Sequence, residues 1–267
     1  MVLQKKTAVI TGASSGIGYA ISEELARYGY QLLMVSNEEE KIIEAAGNLE
    51  NKYGVTAIPL YMDLAKIDSA QMLFEYCNVN NIIAEILINN AGIFFFKDIT
   101  DTPVEQVQTV LNLHIHTPAM LSLLFSQQMI KEGRKGYIMN MASISSRMMM
   151  PGITLYSSTK SFLRCFSRSM RNEVFNKGIS ITTISPGAVA TNLYSLSDRL
   201  IKLGIFFGVI IPAQRLAKQA VRKMFRRKAE FIPGGFINRL FIFLVNILPE
   251  RSVRRIKRKI DDRLQKK

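Results

Sequence analysis

Six short apolar runs, each set apart from the next by a stretch of helical periodicity, constrain this chain more than any other feature. TAVIT (7–11), YQLLMVS (30–36), TAIPLYMD (56–63), EILINN (85–90), GYIMNM (136–141) and ISITTIS (179–185) are rich in β-branched and aliphatic residues. Near-continuous apolar runs of this kind suit parallel strands covered on both faces. Helical patterns over 17–28, 38–51, 66–78, 103–130 and 156–176 lie between them. Strand and helix in turn predict an α/β fold, a doubly wound parallel sheet of about seven strands with helices on both faces. A length of 267 residues fits one such domain better than two.

The segments that join these runs carry the chemistry. TGASSGIG (11–18) follows the first run and opens the first helical stretch. Its glycines permit a tight turn and close approach of backbone to a pyrophosphate, while the helix N-terminus offers free N–H groups and a positive dipole end. NNAG, Asn89 to Gly92, closes the fourth run, and ligands of open α/β sheets bind at the carboxyl ends of strands. Ser143 closes the fifth run, ahead of Tyr156 and Lys160 in LYSSTK. Residues four apart on a helix share a face, so this phenol and ammonium are neighbours. A free tyrosine has a pKa of about 10, too high for proton exchange at neutral pH. A positive charge beside it favours the tyrosinate and lowers that value.

Taken together, TGxxxGxG, NNAG, Asn112 in VLNLHIH, Ser143, YxxxK and PGAVAT (186–191) resemble the short-chain dehydrogenase/reductase family over residues 5 to about 230, nearest its lipid and steroid ketone reductases. The resemblance implies a Rossmann-fold catalytic domain, taken as 1–235, and an NAD(P)(H)-dependent oxidoreductase that interconverts a ketone and a secondary alcohol. Tyr156 would be the general acid/base, Lys160 its activator, Ser143 the donor to the substrate carbonyl and Asn112 the anchor of a proton-relay water. Relatives often have glycine three residues beyond that asparagine, where Ile115 stands here. The cofactor would be held by Gly12, Ser14, Ser15, Gly16, Ile17 and Gly18, by Asn90, Ala91 and Gly92, and by Tyr156 and Lys160. Asp63 and Leu64 would lie beside the adenine, and Pro186, Gly187, Val189 and Thr191 at the nicotinamide. Homodimers or tetramers through the helices at 103–130 and 156–176 are carried over from the family.

The end of the second run chooses between cofactors, because an acidic residue there binds the ribose 2′-OH of NAD whereas Arg nearby accommodates the 2′-phosphate of NADP. Here the run ends VSNEEEK, with Ser36 and Asn37 at the deciding positions. Their hydroxyl and amide favour NADP(H), although the usual arginine is missing, Ser15 replaces a basic residue of the glycine loop, and Glu38 follows at once.

Residues 192–212, NLYSLSDRLIKLGIFFGVIIP, correspond to the family's mobile substrate lid and are strongly apolar, and SRMMMPG adds three methionines ahead of Tyr156. Methionine is adaptable and suits loosely shaped apolar ligands, so a lipophilic substrate is expected, a hydroxysteroid, a 3-oxoacyl group or a 3-ketosphinganine-like base. Ser143, Met149, Tyr156 and Tyr194 are the expected substrate contacts.

Net charge is +14, unevenly placed: residues 1–212 hold 18 Lys and Arg against 17 Asp and Glu, residues 213–267 hold 17 against 4. The extension 236–267 has an apolar part broken by Arg239, then a basic amphipathic helix beyond Pro249. Such a helix suits an anionic membrane surface, a neighbouring subunit or solvent; no aromatic platform accompanies the charge, which argues against nucleic acid.

Two cysteines, Cys77 and Cys165, and two histidines, His114 and His116, provide neither a disulfide framework nor metal-ligand spacing. No metal is expected, and the histidines read as helix packing or surface residues. The N-terminus reads as a first strand and not a signal peptide, and no apolar run reaches the roughly 18 residues of a membrane span. A cytoplasmic protein is expected, with the tail as an option for attachment to the inner face of a membrane. Two other functions stay open at this level: a non-catalytic dinucleotide-binding sensor or membrane-docked scaffold, and a reductase of a small polar carbonyl.

Overall fold

The computed structural model describes residues 6–148, 150–190, 210–247 and 249–264. In chain order the strands are β1 (Thr7–Thr11), β2 (Gln31–Ser36), β3 (Ala57–Tyr61), β4 (Ala84–Asn89), β5 (Gly136–Met141), β6 (Ile179–Ile184), β7 (Ala188–Ala190), β8 (Ile210–Pro212) and β9 (Glu230–Phe231). Seven of them form one parallel sheet in the order β3-β2-β1-β4-β5-β6-β9. The chain steps outward from β1 in one direction and then, from β4, in the other, which makes β1/β4 the switch point where such sheets bind ligands. β7 and β8 pair separately, Ala188 opposite Ile210.

Helices α1 (Gly16–Arg27), α2 (Glu39–Tyr53), α3 (Ser69–Val79), α4 (Val104–Leu111), α5 (Thr117–Lys131), α6 (Thr154–Val174) and α7 (Ala213–Phe225) cover the sheet, and α8 (Gly235–Asn246) and α9 (Glu250–Leu264) follow. Alternation along each strand sorts side chains between two cores. Ala8 and Ile10 of β1 pack with Ile21, Leu25, Ile42 and Leu49, together with Leu216 and Val221 of α7. Val9 points the other way, into Leu73, Phe125, Met170 and Ile181. Both faces of the central strands are therefore dry, and each buries the aliphatic stripe of three helices, worth roughly 1.5–3 kcal/mol per fully buried large side chain.

The helix expected over 103–130 is divided. A π-helical turn, Asn112–His116, separates α4 from α5. The cause is polar: Asn112 Nδ2 donates to the carbonyl of Ala65 (2.9 Å) and Thr117 Oγ1 to that of Leu64 (2.9 Å). Widening the helix by one residue brings both side chains onto the loop after β3, and π-turns of this kind concentrate at functional sites. Met149, Thr191, Tyr194 and the expected lid, apart from Ile210–Pro212, lie outside the described residues.

Candidate active site

The carboxyl ends of β1, β4 and β5 meet the loops behind them in a cleft of about 730 Å³. At one end lies the glycine loop. Gly12 and Gly16 hold φ of +65° and +56°, a region that side chains with a Cβ seldom adopt. A methyl group on Gly12 would lie 2.8 Å from Ala91 Cα, so this turn and the NNAG turn leave no space for one. Ser15 opens α1 without a side-chain cap, which keeps first-turn N–H groups for an anion. Gly18 does not line the cleft wall, and a Cβ there would stand 1.9 Å from Gly12 O. Its role is close packing of helix on loop.

Hydrogen bonds fix the NNAG turn to the same loop. Thr11 Oγ1 accepts the N–H groups of Asn90 (2.9 Å) and Ala91 (3.0 Å), and Asn90 Nδ2 donates to the carbonyls of Thr11 and Gly12. Asn90 thus shapes the cradle with its side chain.

At the edge beside β2, Ser36 Oγ donates to Ser14 Oγ (2.9 Å), and Ser14 Oγ donates to a carboxylate oxygen of Glu38 (2.8 Å). Glu38 also pairs with Lys41. The Lys41 and Ser14 hydrogen bonds hold its carboxyl below the usual range. Ser36, Asn37, Asp63 and Leu64 line this end with Glu38.

At the other end stand Ser143, Tyr156 and Lys160, with Pro186, Gly187 and Val189 across from them. Ser143 ends the β5 loop in extended backbone, its Oγ accepting from Ser145 N–H (3.1 Å). That bond orients the hydroxyl with its proton still to give. Tyr156 and Lys160 share a face in the first turns of α6. Lys160 is buried, Nζ donates to Met141 O (2.9 Å) and lies 5.7 Å from the centroid of the Tyr156 ring. Burial pulls its pKa down from 10.5 to about 8.

Asn112 is not brought into the cleft wall. Its amide goes to Ala65 and its carbonyl accepts Thr117 N–H. The unexpected residue is His114, on the same π-turn and 1% exposed. Its Nε2 accepts Ile93 N–H (3.0 Å), and Nδ1 faces Thr159 Oγ1 (3.1 Å), which itself donates to Tyr156 O (2.9 Å). An N–H can only donate, so the ring proton sits on Nδ1 and Thr159 Oγ1 accepts it. Burial, then the charge of Lys160, holds the His114 pKa well below 6.5, and the ring is neutral. A methyl on Gly92 would fall 3.0 Å from His114 Nε2 and 3.5 Å from Lys160 Nζ.

Two further groups escaped the sequence reading. Phe94 meets the Tyr156 ring edge to face at 5.0 Å; the IFFF run directly after NNAG was its signal. Glu230, on the two-residue strand β9, accepts from Arg147 (2.6 Å), Arg164 (3.1 Å) and Ser185 (3.1 Å), fastening the loop that carries Ser143. Burial raises its pKa, but Arg147 and Arg164 outweigh that and hold it low. Nothing local in the sequence marks it. Among the described residues, no three His, Cys, Asp or Glu side chains are grouped to hold a metal ion.

With this geometry in view, comparison with known proteins is specific. Residues 6–199 match the family described as short chain dehydrogenase. Very-long-chain 3-oxoacyl-CoA reductase-A of Danio rerio is 36% identical over 70% of this chain, and the match spans 59% of that relative's length. The chain therefore spans about three fifths of the curated reductase it matches. An uncharacterized oxidoreductase of Bacillus subtilis, YmfI, is 33% identical over 87% of this chain and 96% of its own. Among solved structures, the bulky-bulky ketone specific alcohol dehydrogenase of Comamonas testosteroni superposes with a TM-score of 0.75 at 25% identity, covering 97% of this chain and 92% of that one.

Proposed function

The chain belongs to the short-chain dehydrogenase family, and on that premise we propose that it is an NAD(P)(H)-dependent oxidoreductase that interconverts a ketone and a secondary alcohol on a lipophilic molecule. The observation that carries this reading is the convergence of Ser143, Tyr156 and Lys160 at one end of a cleft whose other end is the glycine loop. The loop has the geometry that a pyrophosphate needs: left-handed glycines, an uncapped helix start and no room for a Cβ. A nicotinamide dinucleotide held along the cleft supplies or accepts the hydride, and the remaining work falls to the protein.

In the reducing direction Ser143 donates a hydrogen bond to the substrate carbonyl oxygen and fixes it beside the Tyr156 hydroxyl. As the carbonyl carbon gains hydride, its oxygen becomes an alkoxide and takes the phenolic proton. Lys160, charged below pH 8, stabilises the tyrosinate left behind. In the oxidising direction the same oxygen takes the proton back. His114 and Thr159 brace the backbone of Ile93 and Tyr156 on either side.

NADP(H) is the favoured cofactor, because the strand-end positions Ser36 and Asn37 carry no charge against a 2′-phosphate. Glu38 works in the opposite sense, and Lys41 offsets it in part. The substrate is lipophilic: Phe94 stands against Tyr156, and Ile144, Met148 and Met150 form an apolar cluster in the segment that follows Ser143 in sequence. The names of a very-long-chain 3-oxoacyl-CoA reductase and a bulky-bulky ketone alcohol dehydrogenase among the relatives agree with this direction. Homo-oligomers form through α4, α5 and α6, whose outer faces expose Leu111, Leu123 and Phe162. A cytoplasmic location goes with this reading, with the tail as an option for attachment to the inner face of a membrane; no helix among the described residues is long and apolar enough to cross one.

Titration of protein fluorescence with NADPH and with NADH, followed by turnover of a ketone series of increasing chain length, tests the reading. Binding of NADPH with kcat/KM rising along the series supports it. Binding of neither dinucleotide removes the enzyme reading in favour of a scaffold, and kcat/KM falling with chain length moves the substrate to a small polar carbonyl.

A further inference from the structure

The two helices that end the described chain have different inner and outer faces. The inner face of α8 is attached to the active site: Ile242 and Val245 pack on Ile144 and Met148, in the loop directly after Ser143. Asn238 of the same helix lies beside Gly187, where an added Cβ would come within 3.2 Å of its amide. α9 is tied down in its turn, Lys257 Nζ standing 2.9 Å from Asp98 on the loop that follows NNAG.

The outer face of α8 is apolar and open. Leu240, Phe243, Leu244 and the cap residue Ile247 are 42%, 60%, 48% and 58% exposed. Their spacing of three and four puts them on one stripe. α9 repeats the spacing with cations: Arg251, Arg254, Arg255 and Arg258 are all exposed. Glu250 pairs with Arg254 only at 4.0 Å, with its side chain 92% exposed, so it does little to cancel the stripe. A water-facing row of large apolar side chains costs solubility with no return inside the fold. A row of arginines one turn further along the chain has the chemistry of a surface that meets anions.

We propose that α8 and α9 form a docking surface for an anionic lipid bilayer, with Leu240, Phe243, Leu244 and Ile247 entering the interface and Arg251, Arg254, Arg255 and Arg258 on the headgroups. α8 is 12 residues long, short of the roughly 20 needed to span a bilayer, so it lies in the plane of the surface. A second copy of the chain is the weaker occupant. An isologous contact sets the same patch against itself, which would bring the arginine stripe against like charge, whereas anionic lipid complements it. Because the inner faces hold the Ser143 and Asp98 loops, docking sets the substrate end of the cleft beside the bilayer. A ketone dissolved in lipid then reaches Tyr156 without crossing water.

This extends the membrane part of the proposed function and rests on it, yet it is tested without turnover. Purified protein is sedimented with vesicles of phosphatidylcholine alone and of phosphatidylcholine with phosphatidylglycerol, at low and high salt. The expected result is binding to the anionic vesicles only, released by salt. The Phe243→Gln/Leu244→Gln variant should lose most of the binding, and Arg254→Glu/Arg255→Glu should weaken it by roughly thirtyfold or more. NADPH titration of both variants should match the parent protein, which reports on the cofactor site separately and shows that they are folded. Protein that stays in the supernatant with both lipids overturns the proposal. So does equal binding by the charge-reversal variant, or a drop in oligomer mass in either variant, which would make the patch an interface between copies.

Discussion

Lys160 Nζ donates to the carbonyl oxygen of Met141 at 2.9 Å, tying the second turn of α6 to the last residue of β5. This bond holds an ammonium inside a dry wall, beside the Tyr156 ring, and burial lowers its pKa to about 8. Holding that charge is a cost to the fold. Below pH 8 lysine is protonated in both folded and unfolded chains, and the whole penalty applies, about 3 kcal/mol from the shift. Between about 8 and 10.5 the folded chain gives up the proton first, so the penalty fades as pH rises.

Lys160→Met is therefore expected to lose nearly all turnover and still unfold at a higher temperature at pH 7. The lost bond to Met141 offsets about 1 kcal/mol of the gain, which leaves a Tm increase of a few degrees. Calorimetry from neutral to alkaline pH checks this: the increment should shrink above about pH 8. In the parent protein, the same discharge should give ketone reduction a falling limb in kcat/KM near that pH.

On the proposed cofactor reading, Glu38, which accepts from Ser14, opposes a 2′-phosphate. Removing the charge by Glu38→Gln keeps the bond from Ser14 Oγ and deletes the repulsion on a 2′-phosphate, worth about 1 kcal/mol at a solvated distance of roughly 4 Å. NADPH should bind about fivefold tighter in the variant, with NADH nearly unchanged. Parallel fluorescence titrations measure the ratio; a variant that loses NADH affinity would instead assign Glu38 to the ribose hydroxyls.

His114 is neutral because it is buried and faces Lys160, and a positioning role is expected of it. Long-range ¹H–¹⁵N spectra should show a proton on Nδ1 and none on Nε2, unchanged as pH falls through the ordinary histidine value of 6.5. His114→Leu leaves the part-buried Ile93 N–H without its acceptor, at a cost of about 1 kcal/mol. Its kcat should fall and its alkaline limb should move, as the neighbourhood of Lys160 relaxes; loss of stability alone would make His114 a packing residue only.

Much of the architecture is legible in the chain because strand and helix signals here agree with their tertiary setting. TAVIT is a dry strand in sequence and in space, and GYIMNM likewise. Tyr156 and Lys160 are readable because four residues on a helix is a local distance. What the sequence hides depends on partners far along it. The π-turn exists because Asn112 and Thr117 reach carbonyls 47 and 53 residues away, while its local pattern looks like unbroken helix. The closeness of Gly18 to Gly12 O, which leaves no space for a Cβ, is likewise a contact made by the fold. Glu230 sits in a two-residue strand, and only the fold brings three arginines to it.

The most direct measurement of the central claim is Tyr156→Phe, followed by turnover and by dinucleotide titration on the same preparation. The account predicts that turnover falls by at least about a thousandfold, since proton transfer and charge development are both lost, while dinucleotide affinity stays within about threefold of the parent, a difference below roughly 1 kcal/mol. Turnover that survives the loss of the phenolic proton would contradict it.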